Sequence, residues 1–590
     1  MDKKNTVIGV LLLAGAFVAL YLTPKPPQPP PRPPGAAVPA ATTPTAPVSP
    51  SLSPASPNVE RAFETATQAP VASATLTTLS NDYIEVHFTN LGGAIHDVAL
   101  KKYPAVQGKP EAYIFNGLHA DPMLALIDFP GVRRDTAFEL VSAAANEVVY
   151  RAVLNGELEI TRHYIVASND GKNTDRYQLR HETTFRNVGE RSIPAQRLAL
   201  TLGTVAPANR FDTGAYTTTG YSTNGKQKFI MRASLDSSRG FFGTGIGAHG
   251  ARPPVTNLEP MTWTTVKNQF FAAILAPDEP ATGLITGRVK IRDPLPSEDE
   301  NHAYGISGVT QFDLKAIEPR GETKLGMNFY VGPKEYDRLS DVEVFKAGQD
   351  KVMEFGFFKF FSQLLNKMMT WAHGFVGNWG VAVILTTLTL KIATLPLTLK
   401  ASKSMKRMQK LAPEMKIIRE KYKDSPQKQQ SAMMELYKQH KVNPLGGCIP
   451  MLLPMPFFFG FYTMLQSTAE LRFAPFLWAP DLSAPDTVGH ILGVPINILP
   501  LLLGATTFLQ MHLTPVVNMD KTQAAMMKFT PLIFLVICYN FSCALSLYST
   551  VNGLFTIVQQ LYINRMKDDG DPTPAINDRL KNVTPAKKKK

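Results

Sequence analysis

The amino-acid sequence predicts a multi-domain membrane protein in which an all-β domain is joined to an α-helical transmembrane bundle. Two observations lead to this fold class. Residues 51–350 carry 30 basic and 34 acidic side chains in short segments of alternating polarity, whereas residues 351–590 carry 27 basic and 13 acidic ones. The long apolar runs lie outside that middle block. This division excludes a single soluble globule. It also means that the positive net charge of the whole chain does not indicate a DNA-binding protein.

The first element is an apolar run at residues 6–22, which follows Lys3 and Lys4. It resembles a signal peptide, but no convincing small-residue cleavage site follows it. We therefore expect a retained signal-anchor transmembrane helix over residues 1–23. Residues 24–58 are rich in Pro and Ala and cannot pack a core, so they are expected to form an extended linker.

The second element, residues 59–345, is predicted to be a large antiparallel β-sandwich outside the cytoplasm. Residues 83–88 and 157–166 alternate between apolar and polar side chains, and glycines separate many such segments. The domain contains no cysteine, since the three in the chain are Cys448, Cys538 and Cys543. It must therefore fold without disulfides. These cysteines lack the spacing of a zinc site, and we expect no cofactor.

The third element is a membrane core. Residues 351–370 predict an aromatic-rich amphipathic helix in the membrane interface, although this segment could also extend the helix that follows. Five spans are then predicted, at about 375–398, 448–468, 488–513, 529–541 and 544–564, within a core of residues 371–565. With the anchor, the chain has six spans.

Charge predicts the orientation of these spans. The connection 399–445 has twelve basic and four acidic residues, whereas the connection 469–487 has one arginine and three acidic residues. By the positive-inside rule the first connection is cytoplasmic and the second is external. The N-terminus and the basic tail, residues 566–590, are then also cytoplasmic.

Lys391 is the most informative residue, because it lies inside an apolar helix where an unpartnered charge costs several kcal/mol. It could instead lie near the cytoplasmic end and extend its ammonium to the interface. Thr387 and Thr394 share its helix face, and further polar stripes occur in the third and last spans. Three polar faces can enclose a hydrated groove, although hydrogen bonding between helices would also explain them.

The basic connection predicts a helical hairpin. Apolar residues recur there at steps of three and four, and Ser425-Pro426 can begin a return helix. Its charge could serve only to set the orientation. Exposed methionines beside basic residues would also suit a contact with substrates, and the candidate residues are Met408, Lys410, Met415, Arg419, Met433 and Met434.

Several local motifs together resemble the YidC/Oxa family of membrane protein insertases, in the Gram-negative form with a large periplasmic domain. They are residues 373–380, 396–398, 443–450, 470–472, 481–483 and 559–560. The resemblance implies a periplasmic β-supersandwich, a five-helix core with a positively charged groove, and a cytoplasmic hairpin. Lys391 stands where the family commonly has arginine, and lysine keeps the charge without the fork of donors.

The resemblance also implies a function without bond chemistry. The protein would insert, fold and assemble inner-membrane proteins, alone or with the Sec translocon. Further partners would be membrane lipids and, through the hairpin and the basic tail, the ribosome and signal-recognition machinery. The groove residues would be Lys391, Thr387, Thr394, Gln510, Tyr548, Ser549, Asn552 and Thr556.

Two other classes of protein remain as alternatives. A secondary transporter would also place a charge in a cavity, but it should show an internal repeat with paired broken helices. A membrane-anchored carbohydrate-binding protein would place its function in the β domain and would need an aromatic platform or convergent carboxylates there. The chain shows no nucleophile elbow, phosphate loop or metal motif, and an enzyme is not expected.

Overall fold

The computed structural model describes residues 74–565, apart from residues 119–120, 134–135, 170–173, 210–211, 213, 239, 241–246, 293, 296, 298, 346–347, 441–452 and 514–520. The described chain forms two compact units. The β unit contains the residues up to Gly380 together with Pro456–Pro485, and the helical unit contains Val381–Met455 and the residues from Asp486 onward. The predicted anchor, linker and basic tail lie outside the described residues, as does the glycine-containing motif at 443–450.

Eighteen strands make up most of the β unit. They are Leu76–Ser80 (β1), Ile84–Thr89 (β2), Ala94–Pro104 (β3), Ala112–Phe115 (β4), Leu126–Ile127 (β5), Glu139–Ala143 (β6), Glu147–Leu154 (β7), Leu158–Val166 (β8), Gln178–Asn187 (β9), Gln196–Val205 (β10), Thr218–Thr223 (β11), Lys226–Met231 (β12), Val255–Asn257 (β13), Trp263–Lys267 (β14), Phe271–Pro277 (β15), Gly283–Lys290 (β16), Tyr304–Leu314 (β17) and Glu322–Pro333 (β18).

These strands form three antiparallel sheets. The largest has nine strands in the order β12-β11-β14-β15-β18-β9-β8-β7-β6, the second has five in the order β13-β16-β17-β10-β5, and the third has four in the order β1-β2-β3-β4. Thr264 of the nine-stranded sheet and Thr310 of the five-stranded sheet share a buried hydrogen bond of 2.7 Å between their hydroxyls. The two sheets therefore face each other, and the prediction of an all-β domain is confirmed.

Side-chain alternation explains how these sheets bury one face. Along β8 every second residue is buried and the residues between are half-buried, as expected for a strand with one face on the core. The core between the sheets contains large side chains, of which Trp263 is fully buried. A large apolar core of this kind stabilises the domain without disulfides.

Nine helices are described. They are Tyr336–Leu339 (α1), Lys359–Val376 (α2), Trp379–Lys410 (α3), Ala412–Lys421 (α4), Pro426–Gln439 (α5), Pro454–Ser467 (α6), Ile498–Leu513 (α7), Lys521–Cys538 (α8) and Cys543–Arg565 (α9). Of the described helices, only α3 contains a stretch that is both long and apolar enough to cross a membrane by itself, Trp379–Met405. Residues 498–513 and 529–538 are shorter apolar helices. The count of six spans therefore stays a prediction.

Two helices of the β unit pack on each other. Ser362 of α2 donates to the carbonyl of Gly460 in α6 at 3.0 Å, and its hydroxyl also lies 2.9 Å from that of Thr463. A Cβ at Gly460 would lie 2.9 Å from the Cβ of Phe361. The glycine therefore permits the close approach. The interfacial helix predicted at 351–370 is observed as α2, which begins at Lys359 and ends at Val376. Two short 3-10 turns, Gln349–Met353 and Gly356–Phe358, precede it.

The segment that follows α6 is tied to the sheets of the same unit. Arg472 donates to the carbonyls of Pro104 at 2.5 Å and Ala105 at 2.9 Å. Its guanidinium also lies 4.1 Å from the ring centroid of Phe473. The contacts of Arg472 could not be predicted from the sequence, because the partner carbonyls lie more than 360 residues away in the chain.

Three predicted spans differ from the observed helices. The span at about 375–398 corresponds to α3, which begins at Trp379 and continues to Lys410, and the span at 529–541 corresponds to α8, which begins at Lys521 and ends at Cys538. The span at 488–513 is wrong at its start. Residues 488–497 were expected to belong to the span at 488–513, but they form a β-hairpin of Thr487–Ile491 (β19) and Val494–Asn497 (β20), and α7 begins at Ile498. The uncharged, apolar composition suggested a helix. Gly493 and the preceding residue both have positive φ, which allows a tight hairpin turn, and the β-branched residues on either side favour strands.

Candidate functional site

The candidate site is centred on Lys391, on the part of α3 that belongs to the helical unit. Its side chain reaches α9, where the ammonium Nζ donates to Thr556 Oγ1 at 2.9 Å. The Thr556 hydroxyl in turn donates to the carbonyl of Asn552 at 2.7 Å. The threonine proton is therefore committed within α9, and the oxygen is free to accept from the lysine.

The electrostatics of Lys391 are unusual for a partly buried charge. The lysine is half-buried, and its Nζ lies 5.9 Å from the ring centroid of Phe555. Among the residues that the structure describes, no carboxylate lies within ion-pair distance of this ammonium. An ammonium has three N–H donors, and one hydroxyl satisfies only one of them. The remaining donors suit water or an incoming acidic group.

The two threonines predicted beside Lys391 bind their own helix. Thr387 is buried and donates to the carbonyl of Val383 at 2.7 Å, while Thr394 donates to that of Leu390 at 2.8 Å. Both therefore satisfy their protons within α3, a common arrangement for hydroxyls in apolar helices.

One helical turn from Thr394, a second contact joins α3 to α9. Gln559 Nε2 donates to Thr398 Oγ1 at 2.9 Å. Lys391 and Thr398 thus connect the same two helices at two levels. Polar contacts therefore hold α3 against α9. This agrees with the alternative explanation of the polar stripes, which is hydrogen bonding between helices.

The polar stripe of α7 also meets α9, at a different point. Gln510 Nε2 donates to the carbonyl of Gly553 at 2.9 Å. A Cβ at Gly553 would lie 2.9 Å from Thr506 Oγ1 and 3.2 Å from Gln510 Nε2. The glycine is therefore what lets the two helices approach, and sequence reasoning missed it although a glycine inside an apolar span is a known signal for close packing.

The remaining candidates lie in the first half of α9. Tyr548 and Ser549 are buried, and Asn552 is half-buried. Within the described ranges the Ser549 hydroxyl has no hydrogen-bond partner. The structure thus brings Lys391 to Thr556 and places Gln510 against the same helix. Asn552 contributes only its backbone carbonyl to Thr556, and within the described residues Thr387 and Thr394 form no hydrogen bond to α9.

The hairpin of α4 and α5 has an apolar core of its own. Its buried residues are Leu411, Met415 and Leu436. Four partly buried side chains pack around them, namely Met408, Ile418, Met433 and Tyr437. The expectation that these methionines are exposed is therefore wrong for Met415, which is 4% exposed. The residues of the heptad seam pack against each other instead of facing solvent.

The outer surface of the hairpin keeps the other candidates. Met434 is 45% exposed, and Lys410 and Arg419 are exposed as well. One exposed methionine among basic side chains is a smaller apolar surface than the sequence suggested. It still combines the two properties, charge and apolar contact, that the sequence analysis assigned to the hairpin.

Comparisons with known proteins agree with this architecture. The family model described as YidC periplasmic domain matches residues 76–368, and the one described as 60Kd inner membrane protein matches residues 371–570. The membrane protein insertase YidC of Citrifermentans bemidjiense is 32% identical over 502 residues, which cover 83% of this chain and 86% of that protein. The YidC of Wolinella succinogenes is 44% identical over 242 residues, 41% of this chain and 43% of its own length.

A solved structure, described as an active YidC insertase with its first transmembrane domain resolved, covers 83% of this chain and 93% of its own at 18% identity and a TM-score of 0.32. The two family models together match most of the chain, and the relative from Citrifermentans bemidjiense is aligned over most of its length. On these grounds the chain belongs to the YidC family of membrane protein insertases.

Proposed function

We propose that this chain inserts proteins into the bacterial inner membrane and that the Lys391 ammonium is the charge that receives acidic segments of the substrate. One observation supports this assignment above the others. The ammonium lies among apolar helices with a single hydroxyl as its hydrogen-bond partner in the described chain. A charge in that setting is retained where it has a function.

The physical role of such a charge is to lower a barrier. A polar segment that crosses hydrocarbon loses its hydration, and an acidic residue loses most. A fixed ammonium in a hydrated groove replaces part of that hydration over part of the distance. The apolar helix of the substrate then moves into lipid, with a gain of about 0.8 kcal/mol per buried CH₂ group.

The charges of the connections between the predicted spans support a topology that is also part of the proposal. The chain would cross the inner membrane six times, with both termini and the α4–α5 hairpin in the cytoplasm and the β unit in the periplasm. The basic outer surface of the hairpin would meet the ribosome or signal-recognition machinery. Some substrates would arrive from the Sec translocon, and membrane lipids would surround the core.

The experiment that tests this proposal changes the charge at one position. Lys391→Arg, Lys391→Ala and Lys391→Glu would be compared in an in vitro insertion assay with proteoliposomes that contain equal amounts of each variant. Two substrates would be used, which differ only in whether their translocated segment carries acidic or neutral residues. Lys400→Glu serves as the matched control, because Lys400 lies on the same helix and is exposed.

We expect arginine to retain insertion of both substrates. Alanine should reduce insertion of the acidic substrate more than that of the neutral one, and glutamate should reduce it furthest, because like charges in a partly desolvated site repel by several kcal/mol. Lys400→Glu should have little effect, since exposed charges contribute about 0 to 1 kcal/mol. Normal insertion of the acidic substrate by Lys391→Glu would show that Lys391 only reaches to the interface.

A further inference from the structure

The β19–β20 hairpin has a fixed polar base. Thr487 Oγ1 donates to Asn497 Oδ1 at 2.6 Å, and Asn497 Nδ2 donates to the carbonyl of Tyr539 at 2.8 Å. Just before the hairpin, Asp486 Oδ2 accepts from the backbone N–H of Leu499, the second residue of α7, at 2.8 Å. Because both strands are tied to α7 and to the end of α8, the hairpin is a rigid projection of the helical unit.

The other end of the hairpin is apolar and exposed. Val488 is 50% exposed, Ile491 63%, Leu492 99% and Val494 58%. The whole stretch from Thr487 to Leu513 contains no Asp, Glu, Lys or Arg. In a soluble domain, a strand pair of this kind would bury one face or carry charges to prevent edge pairing. This hairpin carries no permanent charge. Its protection against edge pairing is limited to its short strands and to Pro495 in β20, and its one titratable side chain is the exposed His490.

The turn itself carries a residue that the local backbone does not favour. Leu492 has φ +52° and Gly493 has φ +83°, and two positive φ values in a two-residue loop are the mark of the turn that prefers Asn-Gly. Leucine pays a steric penalty in this region. Leu492 thus combines an unfavourable backbone conformation with almost complete exposure in the described chain, which makes it a candidate for a contact outside the protein.

The hairpin lies directly next to a helix that is predicted to span the membrane. The hairpin joins α7 at Ile498 without a linker, and the 16 residues of α7 extend about 24 Å. The hydrocarbon core of a bilayer is about 30 Å thick. If α7 crosses the membrane as proposed above, the base of the hairpin lies near the boundary between hydrocarbon and headgroups. Its four-residue strand β20 adds about 13 Å. Together α7 and β20 extend about 37 Å, which does not exceed the thickness of about 40 to 45 Å that a bilayer has with its headgroups.

We propose that the tip of the β19–β20 hairpin inserts into the lipid headgroup interface and anchors the end of α7 at the membrane surface. The occupant is lipid because the exposed side chains from Val488 to the leucines of α7, such as Leu501 and Leu502, are apolar apart from His490. This inference rests on the membrane placement in the proposed function, but it does not require that the protein inserts substrates.

The test uses the full-length chain in inner-membrane vesicles. A benzophenone amino acid is placed by codon suppression at position 492, at position 502 of α7, or at position 145, an exposed residue of the β unit. After illumination, the mass of the full-length band shows whether phospholipid has been attached. We expect a phospholipase-sensitive lipid adduct at 492 and 502 in comparable yield, at least fivefold above position 145.

Each outcome decides a different point. A lipid adduct at 502 together with none at 492 would overturn the inference and leave the membrane placement intact. No lipid adduct at 502 would instead contradict the membrane placement of α7. A crosslink from 492 to a second copy of the chain, or to another protein, would show that the tip is a protein interface and would likewise overturn the inference.

A matched variant separates the contact from the fold. Leu492→Asn provides the residue that the turn prefers, so backbone hydrogen exchange in residues 487–497 should be unchanged or slower in detergent. With the benzophenone moved to position 491, Leu492→Asn should lower the yield of lipid adduct at least threefold. An unchanged yield would show that Leu492 does not anchor the hairpin.

Discussion

Replacement of Met415 by alanine tests whether the methionines of the α4–α5 hairpin form its core or its contact surface. Met415 is 4% exposed and packs with Leu411 and Leu436 in the only apolar cluster described for this hairpin. The Tyr437 hydroxyl also lies 3.8 Å from its sulfur. Met434, two residues before Leu436 on α5, is 45% exposed.

The expected magnitude follows from that packing. Truncation of a buried methionine to alanine costs about 2 to 5 kcal/mol, and the lower value applies here because much of the cluster is only partly buried. A loss of about 2 kcal/mol corresponds to an increase of about 30-fold in the population of open hairpin. Met434→Ala removes an exposed side chain and should change this population less than threefold, within the range of about 0.5 kcal/mol.

Hydrogen exchange of the full-length protein in nanodiscs measures this difference. Exchange in residues 412–439 should accelerate about 30-fold in Met415→Ala and remain near the original rate in Met434→Ala. In an insertion assay, Met434→Ala should reduce insertion more than Met415→Ala does, relative to the stability that each variant loses. Unchanged exchange in Met415→Ala, or faster exchange in Met434→Ala, would refute the packing argument.

Three further predictions concern other parts of the molecule. Gly553→Ala should separate α7 from α9, because its Cβ would lie 2.9 Å from a threonine hydroxyl of α7. It should therefore lower the thermal midpoint in detergent by several degrees. In the control variant Gly374→Ala, the new Cβ meets no atom within 4 Å and the midpoint should not change. Burial, with a neighbouring carboxylate adding to it, raises the pKa of Glu470 above 4.5. The folded protein thus holds a proton that the unfolded chain loses, so stability should fall as pH rises from about 5 to about 8, and Glu470→Gln should flatten this slope in thermal unfolding. Arg472→Lys should cost about 2 kcal/mol through the loss of one carbonyl contact, and Arg197→Lys, in a partly exposed ion pair, should cost less in the same chemical-denaturation measurement.

The sequence allowed much of the β unit to be predicted, since a strand with one buried face must alternate. The segment from Leu158 to Val166 shows the pattern directly. The order of the strands could not be predicted in the same way. The β18–β9 pair joins residues about 140 positions apart, and such pairing depends on packing between whole sheets. No local pattern records it.

In the helical unit, the sequence indicated which helix faces meet but not which partner each polar side chain binds. Polar residues at steps of three and four on α9 indicated which face meets its neighbours, and Lys391 does reach that helix at Thr556. Periodicity did not distinguish a hydroxyl that bonds its own helix, as in Thr387, from one that reaches another helix. Both occupy a polar stripe, and rotamer and helix separation decide between them.

Composition was misleading at the β19–β20 hairpin for a physical reason. An uncharged apolar run satisfies the criterion for a span whether its backbone is helical or not. The local sequence did indicate the hairpin, because a glycine follows Leu492 in a stretch of β-branched residues. One glycine changes the overall apolar composition very little, so the run still satisfied the criterion for a span.

The length of α3 has a mechanical consequence. This helix runs for 32 residues, from the apolar stretch to the start of the basic hairpin, and contains Pro396 within it. A proline removes one backbone hydrogen bond and permits bending at that level. The fourteen residues beyond it, up to Lys410, form a lever arm of about 21 Å. A change of about 10° in the bend would displace the far end by about 4 Å, so a small rearrangement beside Lys391 is amplified where the hairpin begins.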